Sequence, residues 1–372
     1  MSGSLSLGKV LGIPIRLHAT WFAVAVLVTV SLAAGFFPQQ YGGWSPMTYW
    51  LVGAVTAVLF FGSVLLHELG HSAVALREGV PVKSITLFIF GGVANIGAEP
   101  RTARAEFRIA IAGPLVSFAL AATFASLGTV LGGIDTLSGP LAYLGRINLL
   151  LGAFNLIPGF PLDGGRVFRA LLWKTGGNLR SATQWASRAG QLVALSFILY
   201  GIAQFFFGGS LMGSLWYVFI GWFLNNAAQS SYQQVVLRDA LSGVKARNVM
   251  TQQCQMVPAG VPLDRLVEDN ILGQGQRCFF VADQGDLKGL ITLHNIRRVA
   301  AGHRAEVTTD QVMTPADSVY RVHPEDDVMV VLQKMDESDV NQVPVVEGGR
   351  LLGLITRESL LHDIRMRAEL AV

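Results

Sequence analysis

MTYWLVGAVTAVLFFGSVLLHELGHSAVAL, residues 47–76, is the stretch that decides the fold. Its first twenty residues carry no charge. About 20 apolar residues are enough for a helix to cross the hydrocarbon of a bilayer. The run then places His67, Glu68 and His71 within five positions. An ionisable group at the centre of a membrane helix costs roughly 2.5 kcal/mol or more, so three of them do not persist there as mere packing. Helical pitch puts positions i and i+4 on one face, where both imidazoles reach toward one metal ion. Zinc takes imidazole nitrogen readily, and a catalytic zinc site needs a third protein ligand. Glu68, beside that face, is suited to take a proton from the attacking water and pass it to the leaving amine. The competing reading is a structural histidine pair that bonds neighbouring helices.

Outward from this run the composition falls into two regimes. The chain has 372 residues, 51% hydrophobic and only 14% charged. Residues 1–238 hold 14 Lys and Arg but six acids, a net +8, whereas residues 239–372 hold 14 Lys and Arg against 19 acids, a net −5. Two compositions in one chain imply two solvents. No basic run or aromatic-basic platform is present, so a nucleic-acid partner is not expected. The two cysteines, Cys254 and Cys278, both lie in the charged part and are expected as reduced thiols. The apolar run after Lys9 and Arg16 lacks a clear small-residue cleavage site and is expected to be retained.

Six spans are expected, at 18–37, 47–76, 105–131, 141–157, 190–207 and 211–228. The connections 38–46, 132–140 and 208–210 contain no Lys or Arg, whereas the remaining connections carry nine, and Arg108 lies just inside the third span. That asymmetry predicts cytoplasmic N- and C-termini, with Arg146 as an interfacial anchor. The fourth span is short and runs into Asn155-Leu-Ile-Pro-Gly-Phe-Pro-Leu-Asp-Gly-Gly165. Irregular backbone at membrane depth survives only when buried in protein or lining a wet cavity, so this stretch points to a site. Between the second and third spans, residues 82–97 are apolar and rich in β-formers but too short for a helical span. They predict a re-entrant or interfacial β-hairpin with a turn or bulge at Gly91-Gly92. Its 85–96 strand could accept a peptide by β-addition, replacing backbone bonds lost by an unwound substrate.

Beyond a polar linker at 229–246 the chain repeats itself. Val249-Met250-Thr251 recurs as Val312-Met313-Thr314, and Gly289-Leu290-Ile291-Thr292 recurs as Gly353-Leu354-Ile355-Thr356. Two copies at this period suggest a pair of packed α/β units, at 247–301 and 308–366. Each copy offers a helix-like stretch, 263–272 or 326–336, and a buried strand, 278–282 or 343–346.

Few acids are available as a third ligand. Glu78 and Glu99 lie at cytoplasmic ends, Glu106 begins a span and Asp135 is in an outer loop, which leaves Asp163. Pro158 and Pro161 prevent a continuous helix there, and Gly164-Gly165 let the backbone turn close to a metal. Asp163 would also serve as the N-cap of a helix starting near Gly164. The co-occurring His67 and His71 favour ligation.

HExxH in one span with NxxPxxPLDGG in a later one resembles the site-2 protease family of intramembrane zinc metalloproteases. The likeness extends to Gly12-Ile-Pro-Ile-Arg16 and Phe90-Gly-Gly-Val-Ala94 and covers residues 1–228. It implies one zinc per chain on His67, His71 and Asp163, with Glu68 as the base. It further implies that Asn155 positions the substrate or steadies the oxyanion. Substrate contacts are implied at Gly91, Gly92, Val93, Ala94 and Asn95. The C-terminal repeats resemble a tandem CBS pair, which implies dimerisation and an adenine nucleotide near Thr292, Asn295 and Thr356. Here the chain departs from the family pattern, because Asn295 and Ser359 stand where an acid is usual.

The expected protein is thus a polytopic α-helical membrane protein of six spans and a β-hairpin, in the cell membrane, with a cytoplasmic α/β CBS pair. Its expected activity is regulated intramembrane proteolysis of a membrane-spanning protein. A CBS-gated transporter or channel is the alternative, but it leaves Glu68 between two metal-spaced histidines unexplained. A prenyl-protein endopeptidase is a third reading, against which the PLDGG stretch speaks.

Overall fold

The computed structural model describes residues 4–89, 91–241, 243–251, 255–273, 278–283, 286–338, 340–348, 350–360, 363 and 366. The chain forms two compact units, Met1–Gln233 and Gln234–Val372.

The first unit opens with two strands that the sequence pattern did not announce, β1 (Ser4–Val10) and β2 (Ile13–His18). Helix α1 (Ala19–Gln40) follows, interrupted by a π-helical turn at Ser31–Phe36. Helix α2 (Pro46–Arg77) carries the HExxH run. Ser45 caps it by accepting from the Thr48 N–H at 3.2 Å, and Pro46 pre-sets its first turn. Strands β3 (Val82–Phe88) and β4 (Gly91–Ile96) come next. Then follow α3 (Ala103–Val130), α4 (Asp135–Asn155), α5 (Asp163–Gly176), α6 (Leu179–Phe206) and α7 (Leu211–Leu241).

Among the described residues four helices are long and apolar enough to cross a membrane: α1, α2, α3 and α6. Helices α4 and α7 stand where the fourth and sixth spans were expected but fall outside that set. The 229–246 stretch, expected as a polar linker, is helical as far as Leu241.

The expected hairpin exists, yet it is only half of a four-stranded sheet of order β1-β2-β3-β4. Strand β2 pairs in parallel with β3, Ile15 opposite Ile85. The turn precedes the glycine pair instead of falling on it. Gly91 and Gly92 already lie in β4, opposite Phe88 and Leu87. Ile13, Ile15 and Ile85 form a buried cluster against Leu65 and Leu69 of α2. The sheet therefore packs on the helix that bears the motif.

The second unit holds two sheets of one design. In the first, β5 (Gln255–Pro258) runs parallel to β6 (Cys278–Asp283). β6 pairs antiparallel with β7 (Asp286–Thr292), which pairs with β8 (Thr314–Pro315). Thr292 ends β7 and opens the short helix α8 (Leu293–Arg297). Helix α9 (Val328–Glu337) precedes the second sheet, β9 (Gln342–Glu347) with β10 (Arg350–Thr356). Its flanks match the first: Val322 bridges Val345 in parallel, and Thr251 bridges Leu354 antiparallel. The sheets do not divide where the sequence repeat does. Thr251 joins the later sheet, and Thr314 joins the earlier one. Each sheet covers its own core, one around Phe279, Val281 and Ile291, the other around Val331, Val343 and Ile355. Cys254 lies outside the described residues.

Candidate functional site

His67 and His71 lie one turn apart on α2, each about 4% exposed. Each ring is held through its far nitrogen. His71 Nδ1 donates to the Ile109 carbonyl at 2.7 Å, and His67 Nδ1 lies 2.8 Å from the Ser117 hydroxyl. Both supports come from α3. They turn both Nε2 atoms toward one point, which fixes tautomer and ring direction together. Gly113, between the two supports on α3, must lack a side chain, because a Cβ there would overlap both imidazoles.

Asp163 opens α5 and completes the cluster. Its Oδ2 is 3.1 Å from His67 Nε2 and 3.1 Å from His71 Nε2, and the two Nε2 atoms are 3.2 Å apart. Among the described residues this is the one group of three or more His, Cys, Asp or Glu side chains placed to hold a metal ion. Tetrahedral ligands about 2.0–2.1 Å from zinc stand about 3.3 Å from one another, so the three atoms have the spacing such an ion requires. Two imidazoles and a carboxylate also match zinc in donor type. The N-cap reading of Asp163 does not hold, since Leu162 is the cap residue and Asp163 is the first residue of α5.

Glu68 follows His67 and faces the sheet. The Ala94 backbone amide of β4 is beside its carboxylate. A Cβ at Gly92 would come within 2.5 Å of Glu68 Cγ, so only glycine lets the strand pass this close. Three of the expected substrate residues, Gly92, Val93 and Ala94, thus lie on the strand that passes Glu68. Ala94 turns toward the isoleucine core, while Val93, half exposed, and Asn95 face outward. Gly91 begins the strand with a φ of +120°. Asn155 is the last residue of α4, and its side chain makes no hydrogen bond among the described residues.

In the second unit Thr292, Asn295 and Thr356 sit at strand-to-helix junctions. Asn295 Oδ1 accepts from the Thr292 N–H at 3.0 Å and from its hydroxyl at 2.7 Å. Asn295 Nδ2 donates to the Val312 carbonyl and to Thr314 Oγ1. At the related junction Ser359 Oγ accepts from the Thr356 N–H, and Thr356 Oγ1 accepts from the Ser359 N–H.

Ile109, Gly113 and Ser117 escaped the sequence reading, because small and apolar residues in a span carry no chemical signal. Gly113-Pro114 inside an otherwise regular apolar helix was the one available hint.

The comparisons agree with this geometry. The description "Peptidase family M50" matches residues 55–139 and 133–201, and "CBS domain" matches residues 310–365. The chain is 38% identical over 361 residues to a Mycobacterium tuberculosis protein named "Putative zinc metalloprotease Rip3", covering 96% of this chain and 91% of that one. It is 34% identical over 363 residues to "Zinc metalloprotease MJ0392" of Methanocaldococcus jannaschii, covering 97% and 96%. A solved structure, "Site-2 Protease from Methanocaldococcus jannaschii", is 34% identical with a TM-score of 0.43, covering 62% of this chain and 95% of that one. The histidine pair on an apolar helix, the distant aspartate that meets it and the match along nearly the whole sequence converge: the chain belongs to the site-2 protease family, peptidase family M50, and is a membrane zinc metalloprotease with a C-terminal CBS domain.

Proposed function

We propose that this enzyme hydrolyses a peptide bond in or near a transmembrane segment of a membrane-tethered protein, in regulated intramembrane proteolysis. The observation that carries the reading is β4, an edge strand of its sheet that passes directly over the catalytic glutamate. A helical substrate hides its carbonyls in its own hydrogen bonds, and at membrane depth an unwound stretch needs replacement partners. The free edge of β4 offers them, with Val93 and Asn95 presented outward. Glu68 then takes a proton from water and returns it to the leaving amine. His67, His71 and Asp163 hold zinc, which when bound supplies Lewis acidity at the scissile carbonyl. Asn155, eight residues before Asp163, is assigned to substrate positioning.

Six spans with both termini in the cytoplasm complete the proposal. The test is reconstitution into lipid vesicles with a panel of single-span peptides, the cut sites being mapped by mass spectrometry. Cuts within or at the edge of the span, together with cross-links from a Val93→Cys variant to residues flanking the cut, are expected. Cuts confined to soluble flanks, or cross-links only from elsewhere, would remove the reading.

For the CBS unit we propose that Asn295 is a structural link between strand and helix and not a ribose contact. A carboxamide offers two donors and two acceptor sites. Asn295 uses all four within its own chain, so the position expected to meet a ribose has nothing left to offer.

A further inference from the structure

One buried ion pair lies outside the machinery described so far. Glu106, in the first turn of α3, is fully buried, and Arg169 on α5 is 6% exposed. Arg169 Nε donates to Glu106 Oε1 at 2.7 Å, and its Nη2 donates to the same oxygen. The guanidinium also lies 5.3 Å over the Phe160 ring, with Nη1 3.9 Å from Glu99 Oε1.

We propose that the Glu106–Arg169 pair is a positioning device for the third metal ligand, locking α5 onto α3 in the one register that brings Asp163 to the two histidines. The inference rests on the zinc reading of the site. Three observations carry it.

First, the pair joins the two elements that must be aligned. Helix α3 grips both histidines through Ile109 and Ser117, and α5 brings Asp163. Ile109 is three residues from Glu106, and Asp163 is six from Arg169, about 9 Å along the helix axis.

Second, α5 does not continue α4, and the turn before it is held by a few backbone bonds, among them Phe160 N–H to the Ala186 carbonyl and Gly165 N–H to the Leu162 carbonyl. Residues 156–162 form an irregular turn between α4 and α5. Slipping a helix by one residue turns it by about 100°, which would carry Asp163 off the cluster. Apolar contacts tolerate several such registers, whereas a forked, directional donor meeting one carboxylate oxygen does not.

Third, the pair is poorly built for stability alone. Glu106 Oε2 is buried with no hydrogen-bond partner among the described residues. Burying two charges is itself unfavourable, and apolar replacement of such a pair is often neutral or stabilising. A pair kept in spite of an unsatisfied oxygen is better explained by register than by strength.

The experiment uses the full chain purified in detergent. It compares the unmodified protein with Arg169→Lys and with the charge-free double variant Glu106→Leu/Arg169→Met. Zinc affinity is measured by chelator competition, the ligand set by zinc X-ray absorption, and melting on the metal-free protein. The double variant should melt at or above the unmodified protein yet bind zinc roughly 10- to 100-fold more weakly, with the carboxylate ligand lost or disordered. Arg169→Lys keeps the charge but not the fork and should fall between them. Zinc binding of unchanged affinity and ligand set in the double variant overturns the proposal. So does a loss of zinc that merely tracks a lowered melting temperature. If the unmodified chain itself takes up no zinc, the metal reading fails first, and that outcome is visible before any variant is made.

Discussion

The histidine cluster of the first unit and the Thr292–Asn295 junction of the second are both polar groups closed in by hydrophobic structure. They end in opposite states. Around His67 and His71 each ring spends one nitrogen on α3, so that the other stays open and aimed at a common point with Asp163. Around Asn295 every donor and acceptor is consumed by Thr292, Val312 and Thr314. A motif match alone does not separate the two cases. What separates them is whether valence remains after the local bonds are counted.

The largest test of that contrast is Glu68→Gln. Removing the base while sparing the ligands should lower cleavage by roughly 100- to 10,000-fold. Zinc content by atomic absorption should stay near one per chain, and a variant that loses both would place Glu68 among the ligands. Gly113→Ala attacks the space that the rings need. It should displace an imidazole, abolish most zinc binding and lower stability by about 1–3 kcal/mol, read as a fall in melting temperature.

Ser117→Ala tests the open-valence side more gently. It leaves His67 without its far-nitrogen partner, and zinc affinity should drop roughly 10- to 100-fold with the ligand set unchanged. An unaltered affinity would mean that the ring is held by packing alone. The smallest effect is expected in the second unit. ATP, ADP and AMP should give no heat when titrated into the full chain. Asn295→Ala should lower the melting of the CBS unit by about 1–2 kcal/mol of stability, as expected for loss of a part-buried network. A clear binding isotherm that vanishes in that variant would reverse the contrast drawn here.

The candidate site was legible because ionisable groups at membrane depth are so rare that His67, Glu68, His71 and Asp163 had almost no rivals. The strands were less so. Ser4–His18 contains alternating apolar residues, but Gly8, Gly12 and Pro14 interrupt the local hairpin of β1 with β2, and the pairing that joins that hairpin to the rest of the sheet is with residues some seventy positions away. Local pattern cannot show a partner at that distance. The supports on α3 were silent for another reason, since Ile109 acts through its carbonyl and Gly113 through what it lacks. In the second unit the sequence showed that Asn295 departs from the acidic pattern. Only the fold showed that Val312 and Thr314 had already claimed its amide.

The parallel seam between Ile15 and Ile85 has a practical corollary for anyone handling this enzyme. Trimming the first eighteen residues would strip the inner strand from beside β3. The remaining two-stranded ribbon would be marginal by itself, and the surface lying over Glu68 would be the part to slacken.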